Sequence, residues 1–172
     1  MKENYVLTIK AEDRPGLLHL VTGLIEKRLV RIKSLNLAPT DIHGIILITI
    51  ELTIMENELA TLAFKIENII EVFSVDATKY SQSVCLRVAY FKMAKAFLDS
   101  PKTIVLSKYD ATIIKFYPEA LLVAKYGTDS TILKLYNSLE GPHLLGFSQT
   151  GLISDSKLIG EDQSSVISRQ AA

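Results

Sequence analysis

Tryptophan is absent from this chain, and cysteine occurs once, as Cys85. A lone cysteine closes no internal disulfide, which excludes a disulfide scaffold and agrees with a reducing compartment. Net charge is missing too, because 19 basic residues meet 19 acidic ones. Without a basic field there is nothing to recruit nucleic acid or an anionic membrane surface, and neither is expected as a partner. No apolar run reaches the length a transmembrane helix needs. The opening Met1-Lys2-Glu3-Asn4 leads straight into a strand pattern without the charged and then apolar regions of a secretory signal, so a cytoplasmic location is expected.

Chemistry-bearing patterns are equally scarce. His19, His43 and His143 are scattered, with no second ligand at helical or hairpin spacing, which argues against a metal site. No Gly-x-Gly-x-x-Gly or Gly-Lys-Ser pattern offers a phosphate cradle, so this chain is expected to bind no cofactor. The acidic residues are dispersed, and no acid–base pair can be assembled from them. Cys85 lies in the strand-like run Ser83-Val84-Cys85-Leu86-Arg87-Val88 with no acid–base partner near it in sequence, and reads as a small buried side chain.

What the chain has instead is apolar surface. The hydrophobic share is 48% and the mean hydropathy is +0.25. Such a surplus on a neutral chain points to a covered subunit interface, and at least a dimer is expected. With 172 residues the chain can hold one large domain or two small ones.

Hydrophobic periodicity favours the second division. Tyr5 to Lys10 reads as a strand, and Leu17, Leu18, Val21, Leu24 and Ile25 have helical spacing. Gly23 sits inside that helix at a cost of about 1 kcal/mol, which would be tolerated where the helix packs closely against a neighbour. A strand from Val30 to Ala38 and a loop through Pro39 and Gly44 come next. The clearest strand follows, with Ile46, Ile48, Ile50, Leu52 and Ile54 on one parity and Thr49, Glu51 and Thr53 on the other. A helix carrying Leu59, Leu62, Ala63, Ile66 and Ile69 and a strand from Glu71 to Lys79 complete a βαββαβ order. That order makes an antiparallel sheet with both helices on one face, the ferredoxin-like arrangement.

Beyond Tyr80-Ser81-Gln82-Ser83 the order repeats. Val84 to Phe91 reads as a strand, Lys92 to Asp99 as either a helical turn or a loop, and Ser100-Pro101 as a helix start. Ala111 to Tyr117 and Ala120 to Tyr126 form a hairpin across Pro118-Glu119. Asp129 would cap a helix holding Ile132, Leu133, Tyr136 and Leu139, and His143 to Thr150 forms the last strand. The expected fold is α+β, two tandem ferredoxin-like βαββαβ domains over residues 1–80 and 81–159, with a disordered polar tail at 160–172.

The stretch Asp13-Arg14-Pro15-Gly16-Leu17-Leu18 stands where the first strand meets the first helix. Pro15 suits a first helical turn, and Gly16 lets another molecule approach the backbone. Helix-start amides there could hold a carboxylate, with Arg31, at the second strand, as another cation for it, and Asp13 could hold an ammonium. Those are the three requirements of a free amino acid once an apolar wall is added. The plain structural alternative is a strand-to-helix turn with Asp13 as a helix-start acid and Arg31 as a solvated cation.

The same residues, with Val21-Thr22-Gly23-Leu24-Ile25 and Ser34-Leu35-Asn36-Leu37-Ala38-Pro39-Thr40, resemble the ACT domain of acetolactate synthase small subunits. The resemblance continues through Val84-Cys85-Leu86-Arg87-Val88, the 110–127 hairpin and Phe147-Ser148-Gln149-Thr150-Gly151-Leu152-Ile153, from Tyr5 to about Leu158. It implies a non-catalytic regulatory subunit of branched-chain amino-acid synthesis. Such a subunit forms a homodimer through its ACT domain and activates a catalytic subunit that carries thiamine diphosphate, Mg and FAD. In feedback-sensitive members it also transmits inhibition by valine, with the effector at the corner between paired ACT domains. Asp13, Gly16, Leu17, Leu18 and Arg31 are the effector-site residues this implies. Feedback-sensitive members carry asparagine where this chain has Asp13 and Arg31. An Asp13–Arg31 pair across the interface would leave activation without feedback. A free-standing ACT-type amino-acid sensor acting on another protein is the alternative reading.

Overall fold

The computed structural model describes residues 1–155. The expected disordered tail at 160–172 lies outside the described residues. The chain divides into two compact units, one holding Met1–Val84 with the described residues from Gly151 on, the other Cys85–Thr150. The boundary read from sequence at 80/81 thus falls four residues later, after a 3-10 turn at Tyr80–Gln82. The residues after Thr150, assigned from sequence to the second domain, group with the first. Gly151 accounts for this locally, since a Cβ there would stand 2.7 Å from the Leu35 carbonyl oxygen. Only glycine permits that approach.

The first unit runs β1 (Lys2–Glu12), α1 (Leu17–Glu26), β2 (Ile32–Pro39), β3 (Ile45–Met55), α2 (Glu56–Glu67) and β4 (Val72–Lys79). The strand order is β2-β3-β1-β4, with every pairing antiparallel. Strand alternation sends Leu7, Ile9, Ile48, Ile50 and Leu52 to one face, where Leu17, Val21 and Ile25 of α1 and Leu59, Leu62 and Ile66 of α2 close over them. Leu18, expected in the same stripe, is instead exposed, because the i, i+4 row of Leu17 already faces the core. Ile69 lies beyond the end of α2 and is half-buried. The opposite face of β1 and β3 is not left to water either: Val6, Thr8, Thr49 and Glu51 are buried. There Ser34 Oγ donates to Glu51 Oε2 at 3.3 Å, and Lys33 Nζ lies 3.9 Å from Glu51 Oε1.

The second unit runs β5 (Cys85–Ala94), 3-10 turns at Lys95–Asp99 and Pro101–Thr103, α3 (Ile104–Lys108), β6 (Thr112–Phe116), β7 (Ala120–Gly127), α4 (Asp129–Leu139) and β8 (Leu144–Gln149). A two-residue strand β9 (Ile153–Ser154) follows, in the stretch that groups with the first unit. The order in the second sheet is β6-β7-β5-β8. Phe91, Met93, Leu121 and Val123 pack under Ile132, Leu135 and Leu139 of α4. The stretch left open between Lys92 and Asp99 resolves into the end of β5 and a 3-10 turn anchored by the fully buried Phe97. Ser100 caps as expected, its Oγ accepting from the Lys102 amide at 3.1 Å, but a 3-10 turn precedes the helix, which is only five residues long. Asp129 is not the cap of α4. Thr128 holds that place, its hydroxyl accepting from the Thr131 amide, while the Asp129 carboxylate turns to Arg87.

Candidate functional site

The corner singled out in the sequence forms where β1 reaches Glu12 and the chain turns into α1. Asp13 is fixed by its backbone, the amide donating to the Gly44 carbonyl at 2.8 Å, while its side chain is exposed. Arg14 folds back on Glu12, Nε to Oε1 at 2.9 Å. Pro15 lies before the helix rather than within its first turn. Gly16 is the N-cap, with φ of 91° and no side-chain cap, and a Cβ placed there would meet nothing within 4 Å. The positive φ explains the glycine, and the empty surroundings leave the backbone open to approach.

The five sequence-derived residues do not all present themselves alike. Leu17 is buried under α1, and its amide donates to the Arg14 carbonyl at 3.2 Å, so neither its side chain nor its N–H is available to a ligand. Leu18 is exposed and could supply apolar surface. Arg31 lies just before β2 with its side chain exposed. What the corner offers is an uncapped helix start beside Gly16, flanked by an exposed carboxylate, with an exposed guanidinium further along the chain.

Titration shifts fall elsewhere in this unit. Lys79 Nζ sits 2.7 Å from Glu3 Oε2, tying the start of β1 to the end of β4. Each charge favours the other, so the Glu3 carboxyl is held below and the Lys79 ammonium above its ordinary value. Burial pushes the neighbouring Tyr5 phenol up, with the Glu56 carboxylate adding to the effect. The Tyr5 hydroxyl is buried and, among the described residues, has no hydrogen bond of ordinary geometry, with the Glu3 carboxylate acting on it only weakly.

Sequence reasoning missed a second feature, within the second unit. Arg87 is only 6% exposed, on the inward parity of β5, and its guanidinium grips the Asp129 carboxylate through Nε while Nη1 donates to the Thr150 carbonyl at 3.2 Å. Beside this pair an open groove of about 390 Å³ is lined by Asp129, Ile132, Leu133, Tyr136, Phe147 and Gln149. Its aromatic side is ordered by Phe147, whose ring centroid lies 5.0 Å from those of both Phe91 and Tyr136. The available signal was an arginine between Cys85 and Ala89 at a position whose neighbours of like parity are small and buried. Among the described residues no cluster of His, Cys, Asp and Glu could hold a metal ion, and no helix is long and apolar enough to cross a membrane.

The architecture defines an α+β protein of tandem ferredoxin-like units. The comparisons narrow the class further. No family model matches the chain. It is 23% identical over 154 residues to the acetolactate synthase small subunit of Mycolicibacterium smegmatis, covering 89% of this chain and 91% of that protein. It is 27% identical over 154 residues to that of Mycobacterium leprae, with the same coverage. Its fold matches the crystal structure of the acetolactate synthase small subunit from Thermotoga maritima with a TM-score of 0.80, at 16% identity, over 88% of this chain and 96% of that one. The chain is therefore similar to acetolactate synthase small subunits over a length that takes in both of its units.

Proposed function

We propose that this chain is a regulatory subunit of acetolactate synthase that dimerises through its first unit and activates the thiamine-diphosphate-dependent catalytic subunit. The observation that carries the reading is the extent of the relationship: sequence similarity to small subunits spans about nine-tenths of both partners, and so includes the second unit as well as the ACT-type one. A free-standing amino-acid sensor would need only the first. In this reading the chain does no chemistry of its own and binds no cofactor; thiamine diphosphate, Mg and FAD belong to the catalytic subunit.

The effector part of the proposal rests on the corner. The uncapped start of α1 at Gly16 supports binding of an amino-acid carboxylate, Leu18 supports an apolar wall, and Asp13 supports an ammonium. Leu17 contributes only by holding α1 on its sheet. Arg31 adds a cation near the site when two first units pair. Binding there can regulate only through a difference in affinity between two arrangements of the paired units.

The test is calorimetric titration of the purified chain with its cognate catalytic subunit, and separately with valine, leucine and isoleucine. Saturable association with the catalytic subunit is the expected result. Absence of association would overturn the regulatory-subunit reading. Absence of a heat with all three amino acids would remove the effector role alone.

A further inference from the structure

Among the described residues, no helix covers one face of the second sheet. Its inward residues, Ala89, Phe91 and Met93 on β5, lie under α4, and alternation sends Leu86, Val88, Tyr90 and Lys92 the other way. Antiparallel sheets with one face in water ordinarily show polar residues on it. This one shows apolar and aromatic residues: Leu86 is 40%, Val88 39%, Tyr90 46% and Tyr126 70% exposed. Register gathers them, because Val88 stands opposite Tyr126 on β7 and Tyr90 opposite Ala124. The corresponding face of the first sheet differs in being buried, at Val6, Thr8, Thr49 and Glu51.

Charge on this face has one sign. Lys92 of β5 and Lys115 of β6 both register with Leu122 of β7, which sets two lysines in one row across three strands. Leu86, Val88, Tyr90, Ala124 and Tyr126 bring no carboxylate to balance them. A second copy of the chain laid face to face would offer these lysines no acid. An apolar surface edged by aspartate or glutamate would meet both the aromatic rows and the basic one.

We propose that the open face of the second sheet, centred on Val88, Tyr90 and Tyr126 and bounded at one end by Lys92 and Lys115, docks an apolar, acid-edged surface of the catalytic subunit. The inference rests on the regulatory-subunit reading and names the surface through which it acts. Tyrosines supply rigid contact area at little entropic cost, and the lysine row sets the orientation of docking.

The experiment titrates the catalytic subunit with wild type, with a Lys92→Glu/Lys115→Glu variant and with a Tyr90→Ser/Tyr126→Ser variant, reading the concentration that gives half-maximal activation. Sedimentation and thermal unfolding of each chain alone run beside it. For the charge-reversed variant, whose substitutions are solvent-exposed, a rise in half-maximal concentration of about tenfold or more is expected at low salt, narrowing as salt is added. Melting temperature and oligomeric state should match wild type. The tyrosine variant should show a loss that salt does not relieve. Wild-type half-saturation in both variants would overturn the surface while leaving the regulatory role standing. A variant that changes the oligomeric state of the chain alone would assign the face to a second copy instead. Failure of wild type itself to activate would remove the regulatory reading, and this surface with it.

Discussion

Gly16 and Gly23 lie seven positions apart, with opposite reasons for being glycine. At Gly16 the backbone has φ of 91°, so a side chain is strained although the space around it is empty. Gly16→Ala should destabilise the chain by about 1 kcal/mol or more in thermal or urea unfolding. Gly23 is helical, and a Cβ there meets nothing within 4 Å, so the close packing expected from the sequence is not the reason for it. Gly23→Ala should stabilise by up to about 1 kcal/mol, since only backbone entropy changes. Equal effects of the two substitutions would contradict this account of the corner. Tyr5 makes a third case, with a buried hydroxyl that among the described residues makes no hydrogen bond of ordinary geometry. Tyr5→Phe removes the unsatisfied group and keeps the ring, so the melting temperature should hold or rise. A fall worth about 1 kcal/mol would show that the hydroxyl has a partner in solution.

Single elements explain which parts of the molecule were legible beforehand. β3 was readable because Ile46 to Ile54 alternate without interruption, and α1 because Leu17, Val21 and Ile25 repeat at helical spacing, two periods that no other structure satisfies. Burial of Thr49 and Glu51 was not readable, because what lies over the second face of a sheet is decided by chain far away in sequence. Local chemistry misled at α4, where Asp129 and Thr128 are both competent caps and long-range pairing with Arg87 decided between them. The candidate site divides in the same way. Gly16 and the exposed Asp13 follow from local pattern, whereas the division between a buried Leu17, its amide bonded to the Arg14 carbonyl, and an exposed Leu18 follows from packing of α1. The Arg87–Asp129 pair ties the start of α4 to β5, with Arg87 nearly out of solvent and the Asp129 side chain 42% exposed. Asp129→Ala should cost about 1–3 kcal/mol, because it deprives a desolvated guanidinium of its carboxylate. Unfolding of the variant beside Asp129→Asn measures this, and the amide, which still accepts a hydrogen bond, should recover part of the loss.

For the whole molecule, neutrality, an apolar surplus and two tandem ferredoxin-like units fit the proposed role of a chain that works by contact. Among the described residues, its first unit offers a start of α1 without a side-chain cap, and its second an apolar sheet face that no helix covers. A regulatory subunit acts by binding one state of its partner more tightly than another, so activation should saturate with added chain and reach a fixed ratio of subunits. The measurement that bears most directly on this is the rate of acetolactate formation by a constant amount of the cognate catalytic subunit as the purified chain is added. The account predicts a saturable rise in rate, ending at a defined stoichiometry. A rate that stays flat to large molar excess of well-folded chain would contradict it.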